Sequence, residues 1–135
     1  MKTTRWTKKD LRTLTSQIDT WMLLNRPLGS HNGGDFAAAV RDALTPEARA
    51  CIVINGLTAG LSREQERAQS DADTAKHFAA HPGIYRDSTP EMIARFEGLA
   101  EESRKAARYI ATLIARVERE PLPAEVLAYD PCARR

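Results

Sequence analysis

Residues 89–120, TPEMIARFEGLAEESRKAARYIATLIARVERE, decide the fold class of this chain. Thr89 can cap a helix, Pro90 suits the first helical position, and the acidic Glu91 complements the positive end of the helix dipole. Pro121 ends the segment, because the residue before a proline is disfavoured in the helical conformation. The sequence therefore predicts one helix over about 90–120, roughly 45 Å long at 1.5 Å per residue.

Apolar or small residues recur along this helix at alternating spacings of three and four, which is typical of a helix packed along its whole length. Because the helix is longer than a small domain is wide, we expect part of this stripe to bind a partner protein or a second copy of the chain. The alternative is that other helices of the same chain cover it. The predicted partner or dimer surface consists of Phe96, Leu99, Ser103, Ala106, Ala107, Ile110, Leu113 and Val117.

Composition places the chain among all-α proteins. Its 135 residues suffice for one domain with a single core, and its 42% hydrophobic and 28% charged residues are ordinary for a globular protein. Alanine and leucine dominate the apolar residues, and β-branched apolar residues cluster only at 52–54. We expect a small bundle of four to five helices built around the helix at about 90–120. The predicted domain spans 1–135, with a flexible basic N-terminus (1–6) and a proline-containing tail (121–135).

Charge, hydropathy and cysteine usage bear on the class of partner and on the cellular compartment. The net charge of +2 is too small to imply a nucleic-acid partner by itself. No apolar run follows the basic start, and no stretch approaches eighteen consecutive apolar residues, so neither a signal peptide nor a membrane span is expected. Cys51 and Cys132 lie far apart in the sequence, which suits a reducing compartment. These features predict a cytoplasmic protein without a membrane segment or a cofactor.

Three further segments are predicted to be helical. Thr7 and Asp10 resemble a capping box, and the apolar spacing after them predicts a helix that ends near Asn25. A glycine-rich loop over 27–34 precedes a short helix capped by Asp35. Thr45-Pro46-Glu47 repeats the start signal of residues 89–91 and predicts a helix to about Asn55. That helix is apolar on nearly all sides, so Cys51 is expected in the core.

Gly56 and Gly60 are predicted to interrupt the helical pattern, with a new helix from Ser62 to about His77. That helix lacks large apolar residues and carries only a stripe of alanines, which bury little surface. It should be either a solvent-exposed strut or a surface completed by a partner. After Pro121, residues 122–127 either fold back onto the bundle or form a docking peptide.

A metal site is one possibility for the end of the alanine-striped helix. Asp73, His77 and His81 are spaced four apart, so they share one helix face. A carboxylate and two imidazoles form a plausible ligand set for zinc or iron, with a further ligand from elsewhere, either His31 or Glu66. Histidines at a helix C-terminus also have a purely structural role, because they interact favourably with its negative end.

The basic N-terminus is the second possible binding feature. Its positive charges are opposed only by Asp10, and two of them fall in a first helical turn, where the helix dipole disfavours cations. A solvated helix start explains this pattern, and so does contact with nucleic acid. The candidate nucleic-acid contacts are Lys2, Arg5, Lys8, Lys9 and Arg12.

The sequence contains no Ser-His-Asp order, no Walker nucleotide-binding motif and no dinucleotide-binding fingerprint. The sequence therefore favours a non-enzymatic protein-binding regulator, inhibitor or assembly factor that acts through helical surfaces and forms a homodimer. A nucleic-acid-binding protein is the first alternative, and a metal-binding helical protein is the second.

Overall fold

The computed structural model describes residues 5–25, 33–83 and 89–133, and within these ranges all regular secondary structure is helical. The predicted all-α class is confirmed, and α4 matches the helix expected at about 90–120. No helix among the described residues is long and apolar enough to cross a membrane. The helices are α1 (Lys8–Leu24), α2 (Gly33–Ala43), α3 (Pro46–Ala80), α4 (Pro90–Arg119) and α5 (Ala124–Leu127).

The predicted helix starts at Thr7, Thr45 and Thr89 are confirmed by their capping hydrogen bonds, whereas the predicted start at Asp35 is wrong because α2 already begins at Gly33. At α1, the Asp10 amide donates to Thr7 Oγ1 and the Thr7 amide donates to Asp10 Oδ2, both at 3.1 Å. Thr45 Oγ1 accepts from the Ala48 amide at 3.1 Å, and Thr89 Oγ1 accepts from the Met92 amide at 3.2 Å. Each bond satisfies an amide that has no partner within its own helix.

The predicted break at Gly56 and Gly60 is wrong, because α3 runs through both glycines. With 35 residues α3 is longer than α4, which has 30, so the fold contains two long helices rather than one. A glycine inside a helix costs about 1 kcal/mol relative to alanine. At Gly56 the missing Cβ makes room for another helix, since a methyl group there would collide with the Gln17 side chain of α1. Gly56 therefore marks a close helix contact.

The described residues form two compact units, and α3 and α4 contribute a segment to each. We call the unit of Met1–Leu57 and Leu113–Arg135 the core unit. The other unit, Thr58–Thr112, is called the hairpin. The sequence-based expectation of a single domain over 1–135 stays a prediction.

The core unit buries large aliphatic side chains from several helices. Its C-terminal segment folds back, since Leu122 and Val126 are both buried, which agrees with the first of the two alternatives for this segment. Cys51 differs from expectation: it is exposed, because α3 turns Val53 and Leu57 inward and Cys51 outward. The fully buried large side chains of this unit are Leu14, Ile18, Val53, Leu57 and Val126.

Arg49 fastens the C-terminal segment to the core unit, although its side chain is a buried cation with only 8% of the residue exposed. Its Nε donates to the Leu44 carbonyl at 3.0 Å, and its Nη1 donates to the carbonyls of Val126 and Tyr129 at 2.9 and 2.8 Å. Burial lowers the pKa of Arg49, and the nearby Asp130 carboxylate raises it. The carbonyl oxygens replace the water that this charge loses on burial.

The hairpin consists of the α3 segment 58–80 and the α4 segment 90–112, which run antiparallel. Gly60 lies opposite Ile110, and at the other end the Phe78 and Phe96 rings meet edge to face with centroids 5.7 Å apart. Between these contacts the buried positions hold only small side chains, so the alanine stripe of α3 packs against a matching stripe of α4. The small buried residues are Ala68, Ala75, Ala100, Ser103 and Ala107.

Candidate functional site

The chain itself covers most of the stripe that the sequence assigns to a partner. Ser103, Ala107, Leu113 and Val117 are buried, and they contribute to the cores of the two units. Phe96, Ala106 and Ile110 are half-buried. Leu99 is the exception among the eight, with 38% of its surface exposed. Leu99 is therefore the most exposed residue of the predicted surface.

Two carboxylates occupy unusual positions beside Leu99. Glu64 and Asp71 repeat the seven-residue spacing that links Leu57 to Phe78, and this spacing places them on the side of α3 that faces α4. Both residues are half-buried. A polar residue at such a position weakens the packing of two helices and serves specificity instead. The acidic pair therefore marks the part of the helix pair that contributes least to its own core.

These residues line a groove of about 240 Å³ on the hairpin. Its rim holds three carboxylates and one guanidinium, a net charge of −2. The Arg67 guanidinium lies 3.3 Å from the Glu64 carboxylate. Leu99 supplies the apolar surface, and the small, buried Ser103 forms the part of the groove nearest the contact between α3 and α4. We call this surface the Leu99 groove; it is lined by Glu64, Arg67, Asp71, Leu99, Glu102 and Ser103.

Of the six residues that line the Leu99 groove, only Leu99 and Ser103 belong to the partner surface predicted from the sequence. The seven-residue spacing of Leu57, Glu64, Asp71 and Phe78 is the signal that could have revealed it. That signal is hidden, because the predicted break at Gly56 and Gly60 separates Leu57 from the other three residues. The nearby Glu101 is different in kind: hydrogen bonds from Arg108 and Arg104 lower its pKa, and all three side chains belong to an exposed ion-pair network.

The predicted nucleic-acid contacts lie together on the first turns of α1 and just before it. Arg5, Lys8, Lys9 and Arg12 are exposed, and Lys2 lies outside the described residues. The one carboxylate among them, Asp10, takes part in the capping box and lies 4.0 Å from Arg116. Its charge is thus directed toward the protein.

A cavity of about 490 Å³ lies beside this basic segment in the core unit. Its wall includes the Trp6 ring, which is covered by the Arg116 guanidinium at 3.6 Å from the ring centroid. Arg116 also bonds Glu120 at 2.9 Å, so its charge is compensated within the protein. The cavity therefore adds little positive potential to the exposed cations of α1.

The candidate metal ligands lie at the C-terminal end of α3. The rings of His77 and His81 approach to 4.6 Å between centroids, while Asp73 Oδ1 accepts a hydrogen bond from Gln69 at 2.8 Å. Within residues 5–25, 33–83 and 89–133, no group of three or more His, Cys, Asp or Glu side chains could hold a metal together. His31 lies outside these ranges. The structure thus brings the two histidines together without assembling the three-residue set with Asp73.

Comparisons with protein-family models, with curated proteins and with solved structures find no match for this chain.

Proposed function

We propose that this chain is a non-enzymatic protein-binding regulator, inhibitor or assembly factor that recognises its partner through the Leu99 groove. The observation that carries this proposal is a leucine with 38% of its surface exposed, placed among three carboxylates and one arginine on a helical hairpin. An apolar anchor surrounded by a charged rim is the usual composition of a protein-binding surface.

The chemistry of the groove specifies its occupant. A net charge of −2 around an apolar centre favours a helix that carries one apolar side chain flanked by lysine or arginine. The hairpin suits such a ligand, because the small residues buried between α3 and α4 keep the two helices close together. A helix laid along a groove between two helices is a common recognition mode.

Paired variants test this assignment. The Leu99→Arg chain should lose its partner, since the new cation fills the groove and neutralises part of the acidic rim. The matched control is Leu23→Arg, which alters a leucine of the core unit that is 71% exposed. Quantitative co-purification from the native host, followed by titration with the purified partner, should show at least a tenfold loss for Leu99→Arg and less than twofold for the control. A tenfold loss corresponds to about 1.4 kcal/mol.

Equal loss in both variants, or in neither, would remove the Leu99 groove as the binding surface. Unchanged melting temperatures must accompany the comparison, so that unfolding is not taken for lost binding. Light scattering on the pure chain decides whether the partner is a second copy. A doubled mass that returns to the monomer value in Leu99→Arg would assign the groove to a homodimer.

Nucleic-acid binding is the second candidate, favoured by the exposed cations of α1 and by the engagement of Asp10 within the protein. A gel shift with duplex DNA should show a complex that weakens steeply as salt rises, because phosphate contacts release counterions. The double variant Lys8→Glu/Lys9→Glu should abolish it. Lys76→Glu/Lys105→Glu makes the same charge change on the hairpin and should retain it. The absence of a complex at low salt and micromolar protein would rule this function out.

A further inference from the structure

We propose that His77 and His81 form a two-ligand binding site for a divalent transition metal at the C-terminal end of α3. The two residues are one helical turn apart, both are exposed, and their rings approach to 4.6 Å between centroids with a tilt of 41°. Two histidines spaced four apart on a helix can reach the same metal ion, as they do in helical zinc motifs. This proposal does not depend on the partner-binding function.

The hydrogen bonding of His81 already matches that of a metal ligand. Its Nδ1 lies 3.0 Å from the main-chain carbonyl oxygen of His77. A carbonyl oxygen can only accept, so Nδ1 must carry the proton. In the neutral ring the lone pair is then on Nε2, the nitrogen available to a metal. Metal-binding histidines usually donate their other N–H to a carbonyl or carboxylate, which fixes the tautomer and the ring orientation.

His77 completes the pair. Its neutral ring offers one nitrogen lone pair, and either ring nitrogen can carry it. The pair also lies at the negative end of the α3 dipole, which favours a bound cation. Chelation would join the last turn of α3 to the residue after its end, at Ala80.

The site differs from the set predicted from sequence, because Asp73 is not needed. Two imidazoles leave the remaining coordination positions to water or to a ligand from another molecule. Imidazole suits copper, nickel and zinc, and the general order of stability predicts the tightest binding for Cu²⁺. Metal binding needs deprotonated rings, so protons compete with the metal and the affinity should fall in acid.

Titration calorimetry with Ni²⁺ and Zn²⁺ tests the proposal on the full chain without a histidine tag. The measurements use a Cys51→Ser background, since an exposed thiol can itself bind these metals. We expect His77→Ala and His81→Ala each to weaken binding at least tenfold. The third histidine supplies the matched control, because His31→Ala should stay within twofold of the parent.

Two further results distinguish a chelate from scattered weak contacts. The parent chain should bind one metal per chain and lose it at pH 5, whereas the double variant His77→Ala/His81→Ala should show no binding that depends on pH in this range. Equal affinities of the parent and the double variant would overturn the proposal. The same conclusion would follow if His31→Ala weakened binding as much as His77→Ala does.

Discussion

The core unit and the hairpin are built from the same two long helices but pack them with different side chains. In the core unit α3 buries Val53 and Leu57, whereas in the hairpin it buries Ala68 and Ala75. Burying a leucine or valine contributes about 1.5–3 kcal/mol, and alanine offers only one methyl group. We infer that the core unit supplies most of the stability. The hairpin is less stable, and its closely packed helices carry the Leu99 groove.

The largest loss of stability is expected from a substitution in the core unit. Leu14 is fully buried, so Leu14→Ala should lower the free energy of unfolding by about 3 kcal/mol through lost burial and the cavity left behind. The matched control Leu23→Ala changes an exposed leucine of the same helix and should cost less than about 0.5 kcal/mol. Urea denaturation measures both values. Similar losses in the two variants would show that Leu14 is not part of a tightly packed core.

The next effect concerns the attachment of the C-terminal segment. Arg49→Met keeps much of the apolar side chain but removes the donors to three carbonyls, so we expect a loss of about 2.5 kcal/mol. The exposed Arg12→Met is the control and should be close to neutral. Thermal unfolding followed by circular dichroism measures the difference. A neutral Arg49→Met would mean that these hydrogen bonds do not hold the segment in place.

Enlarging a buried side chain of the hairpin should lower the free energy of unfolding, because the buried residues between its two helices are small. Ala100 is buried in the narrow seam, so Ala100→Leu should force the helices apart and cost about 1.5 kcal/mol. The same substitution at the exposed Ala111 of α4 should be nearly neutral. Urea denaturation compares the two variants. If Ala100→Leu stabilised the chain, the seam would have room for larger residues and the comparison between the units would fail.

The smallest expected effect depends on pH and belongs to Asp130 of the core unit. A hydrogen bond from the Cys132 amide and the ion pair with Arg41, whose Nη2 lies 2.9 Å away, lower the pKa of this carboxyl group. Because the folded-state pKa lies below the unfolded value, the stabilisation is complete above about pH 4 and is lost as the pH falls through the folded-state value.

At pH 7, Asp130→Asn should therefore cost about 0.5 kcal/mol, and the difference from wild type should shrink toward zero in acid. Unfolding curves at pH 7 and below pH 4 measure it. A difference that grows in acid would contradict the assigned direction of the pKa shift.

Local signals explain which parts of the fold could be predicted from sequence. The caps at Thr7, Thr45 and Thr89 involve residues only three positions apart, so their hydrogen bonds follow directly from the sequence. The continuity of α3 through Gly56 could not be predicted in this way, because the close approach of Gln17 from α1 is a long-range contact. The role of Arg49 was hidden for the same reason, since two of its acceptors are the carbonyls of Val126 and Tyr129.

The Leu99 groove shows the same limit. The stripe on α4 was visible, but its division into covered residues and an exposed Leu99 depends on how α3 lies along it. The acidic positions Glu64 and Asp71 could be assigned to the seam only once α3 was known to be continuous. The sequence thus predicts α1, α4 and the apolar stripe of α4, whereas the candidate site arises from the register between two helices.

Hydrogen exchange along α3 tests the central claim most directly, because this one helix belongs to both units. Amides in 49–57 pack in the core unit, and amides in 64–75 lie along the alanine seam. We predict that under native conditions the second group exchanges at least tenfold faster than the first, which corresponds to a local opening about 1.4 kcal/mol easier. Equal protection along the whole of α3, or slower exchange in 64–75, would contradict the division into a stabilising core unit and a surface-presenting hairpin.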